Sequence, residues 1–167
     1  MSVVLDDAVK AGVVAGSPFT GRIILDVKTD AIEIVARFTI KIVGKHNEFH
    51  PAVHGHGENQ YSRPAQYFEH FFLNTMSEVH PDQRSFARGT YSIPFSTAVP
   101  YGSPLSMANN GQVLIMGAAM PMTFQGRRSA TRYFLEVLTI ANSSKKPNIG
   151  VSGVFEFPVT TTILLGS

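Results

Sequence analysis

The stretch "AIEIVARFTIKIV", Ala31 to Val43, decides the fold class. Its even positions are all apolar: Ile32, Ile34, Ala36, Phe38, Ile40 and Ile42. Its odd positions include Glu33, Arg37, Thr39 and Lys41. Successive side chains of a β-strand point to opposite faces, so this alternation predicts one long strand with a buried face and a wet face. "GRIILDVK" repeats the pattern, with Ile23, Leu25 and Val27 set against Arg22, Asp26 and Lys28. Tyr133, Leu135 and Val137 alternate with Arg132 and Glu136. In "VFEFPVTTTILL", Phe155, Phe157, Val159 and Ile163 share a side. "QYFEHFFLN" is β-prone, although a short apolar run can also be a helix turn. Helical signal is confined to "DDAVKAGVVAG", where β-branched valines and glycines oppose more than a turn or two.

Turn clusters separate these runs, among them Gly16-Ser17-Pro18, Gly44, Pro51, Gly55, Pro81 and Gly89. One-sided strands joined by turns predict an all-β fold, two antiparallel sheets packed as an immunoglobulin-like β-sandwich. "RGTYSIPFSTAVPYGSPLS", Arg88 to Ser106, brings Pro94, Pro100 and Pro104 close together. Proline cannot donate to a sheet ladder, so this segment belongs on an edge or around the end of a sandwich. Two stretches fall outside the strand pattern: Gly44 to Ala65, rich in His and Gly, and Met107 to Ala130.

The 167 residues fit a single domain, 1–167, with a core of useful size. The absence of cysteine excludes disulfides and thiolate metal sites. A net charge of +2 nominates no nucleic-acid partner. Asp6 and Asp7 stand where a signal peptide would need a basic region. No apolar run approaches the roughly 18 residues of a membrane span. The expected setting is soluble and cytoplasmic.

In this order the segments resemble an arrestin-type N-terminal domain. "AGSPFTGRIILDV" is similar to that family's opening, and "IEIVARFTIKIVGK" to its long strand closing on a glycine. Gly89, Tyr91, Ile93-Pro94-Phe95-Ser96, Pro100, Pro104 and Ser106 look like its glycine, hydrophobic-P-F and P-x-x-x-P-S pattern. "RYFLEVLTI" and "FEFPV" look like its later strands. The resemblance implies a non-enzymatic adaptor or scaffold in intracellular trafficking or signalling. Its partner would be a protein, such as the cytoplasmic tail of a membrane protein or a trafficking complex, with endosomal association. Departures limit what carries over. "VVLDD" has carboxylates where receptor-binding arrestins carry phosphate-sensing lysines, and a P-P-x-Y ligase-recruiting segment is absent.

Three groups of residues are candidates for sites. Met107, Leu114, Met116, Met120, Met122 and Phe124, with Arg127 and Arg128, form an apolar and basic stretch suited to a protein partner. The competing reading places the methionines in the core. Arg127, Arg128 and Arg132, and Lys145-Lys146, could also meet anionic lipid headgroups in a peripheral membrane association. Charged turns that only solubilise are the plainer account. His46, His50, His54 and His56 lie within eleven residues, and His50, His54 and His56 are the candidate metal ligands. A solvated polar loop is the alternative, since the spacing matches no zinc pattern. No cofactor is implied, and neither a G-x-S-x-G elbow nor a helical H-E-x-x-H motif points to catalysis. A self-assembling structural sandwich, a homo-oligomer built through the apolar stretch, is the other function class.

Overall fold

The computed structural model describes residues 1–9, 12–28, 30–54, 62–101 and 120–160. Among them the chain runs through β1 (Ser2–Leu5), a 3-10 turn at Asp7–Val9, β2 (Val13–Val14), β3 (Pro18–Val27), β4 (Ile32–Ile34) and β5 (Phe38–His50). β6 (Val53–His54), β7 (Ser62–Arg63), β8 (Gln66–Val79), β9 (Ser85–Phe86) and β10 (Gly89–Ala98) follow. The last are β11 (Phe124–Gln125), β12 (Ser129–Ser143), β13 (Ile149–Phe157) and β14 (Val159–Thr160). The protein is an all-β sandwich.

β12 organises the larger sheet. Residues 133–138 pair with β5 and with β13 at once, so these strands occupy its two opposite edges. β4 continues the line of β5 along β12, while β8 and β9 pair with the far side of that line. The long strand expected over Ala31–Val43 is therefore interrupted at 35–37. Ile34 stands opposite Ala141 and Thr39 opposite Leu138, so two extra residues enter this line. The Val35 and Ala36 N–H groups both donate to the Ile140 carbonyl, as the local bulge requires. An insertion of two preserves the period, which is why Ile34, Phe38, Ile40 and Ile42 still reach one core.

The smaller sheet has the order β1-β3-β10. β10 pairs with β3 alone among the described residues, with Pro94 opposite Arg22. The proline sits on an edge strand, where a missing donor is tolerated. Ile23, Leu25 and Phe95 from this sheet join Phe38, Ile40, Tyr133, Leu135 and Val137 from the other in the core. Each such side chain contributes about 1.5–3 kcal/mol by leaving water. Among the described strands one ladder is not antiparallel: β14 runs parallel to β2.

The larger sheet outruns the core. β5 was expected to end at Gly44 but continues to His50, and beyond it β6 and β7 form a separate antiparallel pair. Past Gly44 the pairing shifts, with Gly44 opposite Leu73 but Lys45 opposite Phe71. The extra residue, Phe72, turns edge-on against Tyr133 at 5.4 Å. No residue of 45–53 or 63–71 belongs to the buried apolar core, and Phe72 packs against it only in part. β5, β8, β11 and β12 thus form a projecting end on which the β5 and β8 side chains are half-buried or exposed, with Ala130 and Thr131 of β12 buried beneath them.

Candidate binding cleft and open sheet edge

On the outer face of the projecting end, three cross-strand rows build a cleft. The middle row is Gln125, Ala130, Asn47 and Glu69. Ala130 is small, so it makes a floor between the longer flanking side chains. One neighbouring row is Phe49 beside Tyr67, and the other is Arg132, Lys45 and Phe71. The resulting hollow of about 210 Å³ is lined by Asn47, Phe49, Tyr67, Gln125, Arg128 and Arg132, among others.

Local hydrogen bonds fix this geometry. The Gly126 N–H donates to the Ser129 carbonyl, which puts Arg127 and Arg128 at the apex of the β11–β12 hairpin. The Phe49 N–H donates to the Arg128 carbonyl at 2.7 Å, holding the apex against β5. Arg132 donates through Nη2 to Gln125 Oε1 at 3.0 Å and lies 3.7 Å from Glu156. Lys45 pairs with Glu69 at 3.4 Å and lies over the Phe71 ring, 4.8 Å from its centre. Arg127 and Arg128 are exposed and meet no carboxylate among the described residues. Asn47 Oδ1 is buried and receives no hydrogen bond from any described residue. Two cations without a carboxylate partner among the described residues and an aromatic wall therefore line one hollow.

The opposite face of the same strands carries the histidines. Glu48 lies between His46 and His50, with carboxylate-to-Nε2 distances of 3.5 and 3.2 Å. His46 Nδ1 is 2.9 Å from the Thr131 hydroxyl. If Nε2 carries the His46 proton toward Glu48, a neutral ring accepts from Thr131 through Nδ1. The hydrogen bond from His50, then that from His46, holds the Glu48 carboxyl below its ordinary range against some desolvation. Among the described residues no group of three or more His, Asp or Glu is placed to hold a metal ion. His56 and the side chain of His54 lie outside the described residues.

β8 forms the free edge of this end, pairing only with β5 among the described strands. Tyr67, Phe71 and Met76 on its outer face are 62%, 58% and 71% exposed.

Of the expected partner-binding residues, Met107, Leu114 and Met116 lie outside the described residues. Met120 belongs to the core at 1% exposure, which corrects its expected role at the surface. Its N–H donates to the Tyr101 carbonyl at 3.2 Å. Met122 and Phe124 are exposed, and Phe124 stands opposite Thr131, off the face that carries the cleft. Arg127 and Arg128 reach the cleft. Asn47, Phe49 and Tyr67 were not anticipated. Their signal in the sequence is aromatic residues within the polar runs "HNEFH" and "QYFEHFF".

The fold and surface define a β-sandwich with a projecting, aromatic and basic end. No family model matches the chain, and no curated protein matches it. Among solved structures it is similar to the sporulation control protein Spo0M from Bacillus subtilis, at 7% identity and a TM-score of 0.40. That alignment covers 96% of this chain and 48% of the other, so the chain spans about half that protein's length. Among the described residues no helix is long and apolar enough to cross a membrane.

Proposed function

We propose that this chain is an arrestin-like, non-enzymatic adaptor or scaffold module of intracellular trafficking or signalling that takes an extended peptide strand on β8. The observation that carries the reading is the β8 edge, which pairs with no described strand besides β5. Fourteen residues run along it without Pro, Lys or Gly, the residues that most often blunt or interrupt an edge. Main-chain pairing would supply affinity, and the exposed side chains of alternate positions would supply selectivity. The arrestin-type motifs support the adaptor role.

Panning displayed random peptides against the protein tests this. Recovered peptides should slow hydrogen exchange along β8 and lose affinity for a Phe71→Lys, Met76→Lys variant that keeps its cooperative melt. Peptides that bind this variant equally well, with no β8 amide protected, would overturn the reading.

Self-assembly is a second reading, favoured by one observation. Leu138, Ile140 and Val154 are exposed together on the outer face of the larger sheet. A solution mass that rises with concentration, and falls back in Leu138→Lys, would support assembly instead.

A further inference from the structure

We propose that a trough across the outer face of the larger sheet, from Arg84 to Gly150, binds a medium-chain fatty acid. The carboxylate would sit at Arg84, and the alkyl chain would lie along Leu138 and Ile140. The site stands apart from the pairing edge of β8, and its fate does not decide the peptide-binding reading.

Two hollows of about 450 Å³ each meet over the insertion at 35–37, sharing Ala36, Arg37 and Thr39. The first is also lined by Val35, Glu78, His80 and Arg84. The second runs on over Leu138, Ile140 and Val151 to Gly150. The floor between them is fixed. The Thr139 hydroxyl donates to the Ala36 carbonyl at 3.1 Å, and the Val35 and Ala36 N–H groups donate to the Ile140 carbonyl. The Ile34 N–H donates to the Arg84 carbonyl at 2.8 Å, which holds Arg84 beside the insertion.

The two ends differ in chemistry. Arg37 is engaged by Glu78, whereas Arg84 meets no carboxylate among the described residues. A guanidinium fork matches a carboxylate in shape as well as in sign. The far end offers the exposed Leu138 and Ile140, and beyond Arg37 no charged side chain lines it. From β8 the trough crosses β5 and β12 to reach β13, a span of about 14 Å at the usual strand spacing. One unbranched chain with an anionic end matches that order and that length.

Gly150 is a second, independent observation. A Cβ there would meet nothing within 4 Å, and its φ is not in the left-handed region. Other strand glycines have a neighbour that excludes a side chain: Phe72 at Gly44, and the Met1 carbonyl at Gly153. Glycine weakens a strand, so neither packing nor backbone accounts for it at position 150. Its missing side chain leaves the apolar end of the trough open.

NMR titration of the whole chain with decanoate, below its micelle concentration, tests this, with octanoate and 1-decanol as controls. Decanoate should shift the amides of Ala36, Ile140, Gly150 and Val151. Octanoate should bind on the order of fivefold more weakly, because its shorter chain buries less in a half-open trough. Arg84→Gln should remove the preference for decanoate over decanol. Gly150→Ile should abolish binding while leaving the free protein as stable or more stable, since a β-branched side chain suits a strand.

Shifts confined to another apolar hollow, such as the seam lined by Val3, Leu5 and Phe155, would overturn the inference. So would decanol binding as tightly as decanoate, or a Gly150→Ile variant that binds like wild type or melts earlier. Attachment to phosphatidylserine vesicles without binding of the free acid would assign the face to a membrane instead. A mass that rises with protein concentration and is unmoved by decanoate would assign it to a second copy. Either result sinks the fatty-acid site and leaves the β8 reading untouched.

Discussion

The Tyr133 hydroxyl donates to the Pro121 carbonyl at 2.6 Å, tying the irregular segment before β11 to the middle of the larger sheet. The ring is fully buried, edge-on to Phe72 and tilted toward Phe157. Tyr133→Phe keeps that packing and leaves the Pro121 carbonyl without its donor. A loss of about 1–2 kcal/mol is expected, measured by urea unfolding. Burial also pushes the Tyr133 phenol above its ordinary value of 10.0. A raised folded value means that its contribution is complete below the unfolded pKa and is lost as pH rises toward the folded one. Wild type should therefore lose stability above about pH 10 through this group, and Tyr133→Phe should lack that component.

Gly21 stands opposite both Leu5 and Phe95, at the centre of the three-stranded sheet. A methyl group there would come within 2.8 Å of the Phe95 ring and 2.8 Å of the Val4 carbonyl oxygen. The ring can tilt, but the carbonyl is held by the strand. Gly21→Ala is expected to destabilise by about 1–3 kcal/mol through overpacking. An unchanged thermal midpoint would show that β1 yields at this point.

The sequence made the sandwich readable wherever one face of a strand is buried. Tyr133, Leu135 and Val137 alternate with wet residues because a core lies beneath them, and all three are buried. From Lys45 to His50 the same strand continues past the core, so "KHNEFH" has no apolar face to reveal a period. Its histidines and the glycines that follow resemble a loop for that reason. "QYFEHFF" hid the edge in the same way, with Tyr67, Phe68 and Phe71 exposed on both faces of the projection. Of the cleft, Arg127 and Arg128 were legible as a basic pair. Asn47 was not, because only the register places it between Ala130 and Glu69. Composition could not tell buried Met120 from exposed Met122, two residues away.

Glu48 offers a prediction in acid. Its carboxyl is held low first by the hydrogen bond from His50 and then by that from His46. A depressed value contributes stability above the ordinary carboxyl range and loses it as pH falls through the folded value. NMR titration of the side-chain carbon should give a midpoint below 4.5. His50→Gln should raise that midpoint more than His46→Gln does. The reverse order would mean that His46 is the main donor to the carboxylate.

β12 provides a direct test of the sandwich, because two leucines on one strand face opposite ways. Leu135 is fully buried, whereas Leu138 is 41% exposed on the outer face. Both sit in the stretch that pairs with β5 on one edge and β13 on the other, so their backbone environments match. Only the side-chain surroundings differ. Leu135→Ala opens a cavity between the sheets and should cost about 2–5 kcal/mol in urea unfolding. Leu138→Ala removes a half-wet side chain and should cost less than about 1 kcal/mol. Comparable losses would mean that the outer face is covered in solution. A measurement of Leu138→Ala at two protein concentrations then identifies the cover: a concentration-dependent loss belongs to a second copy of the chain, and a constant loss to the chain's own residues.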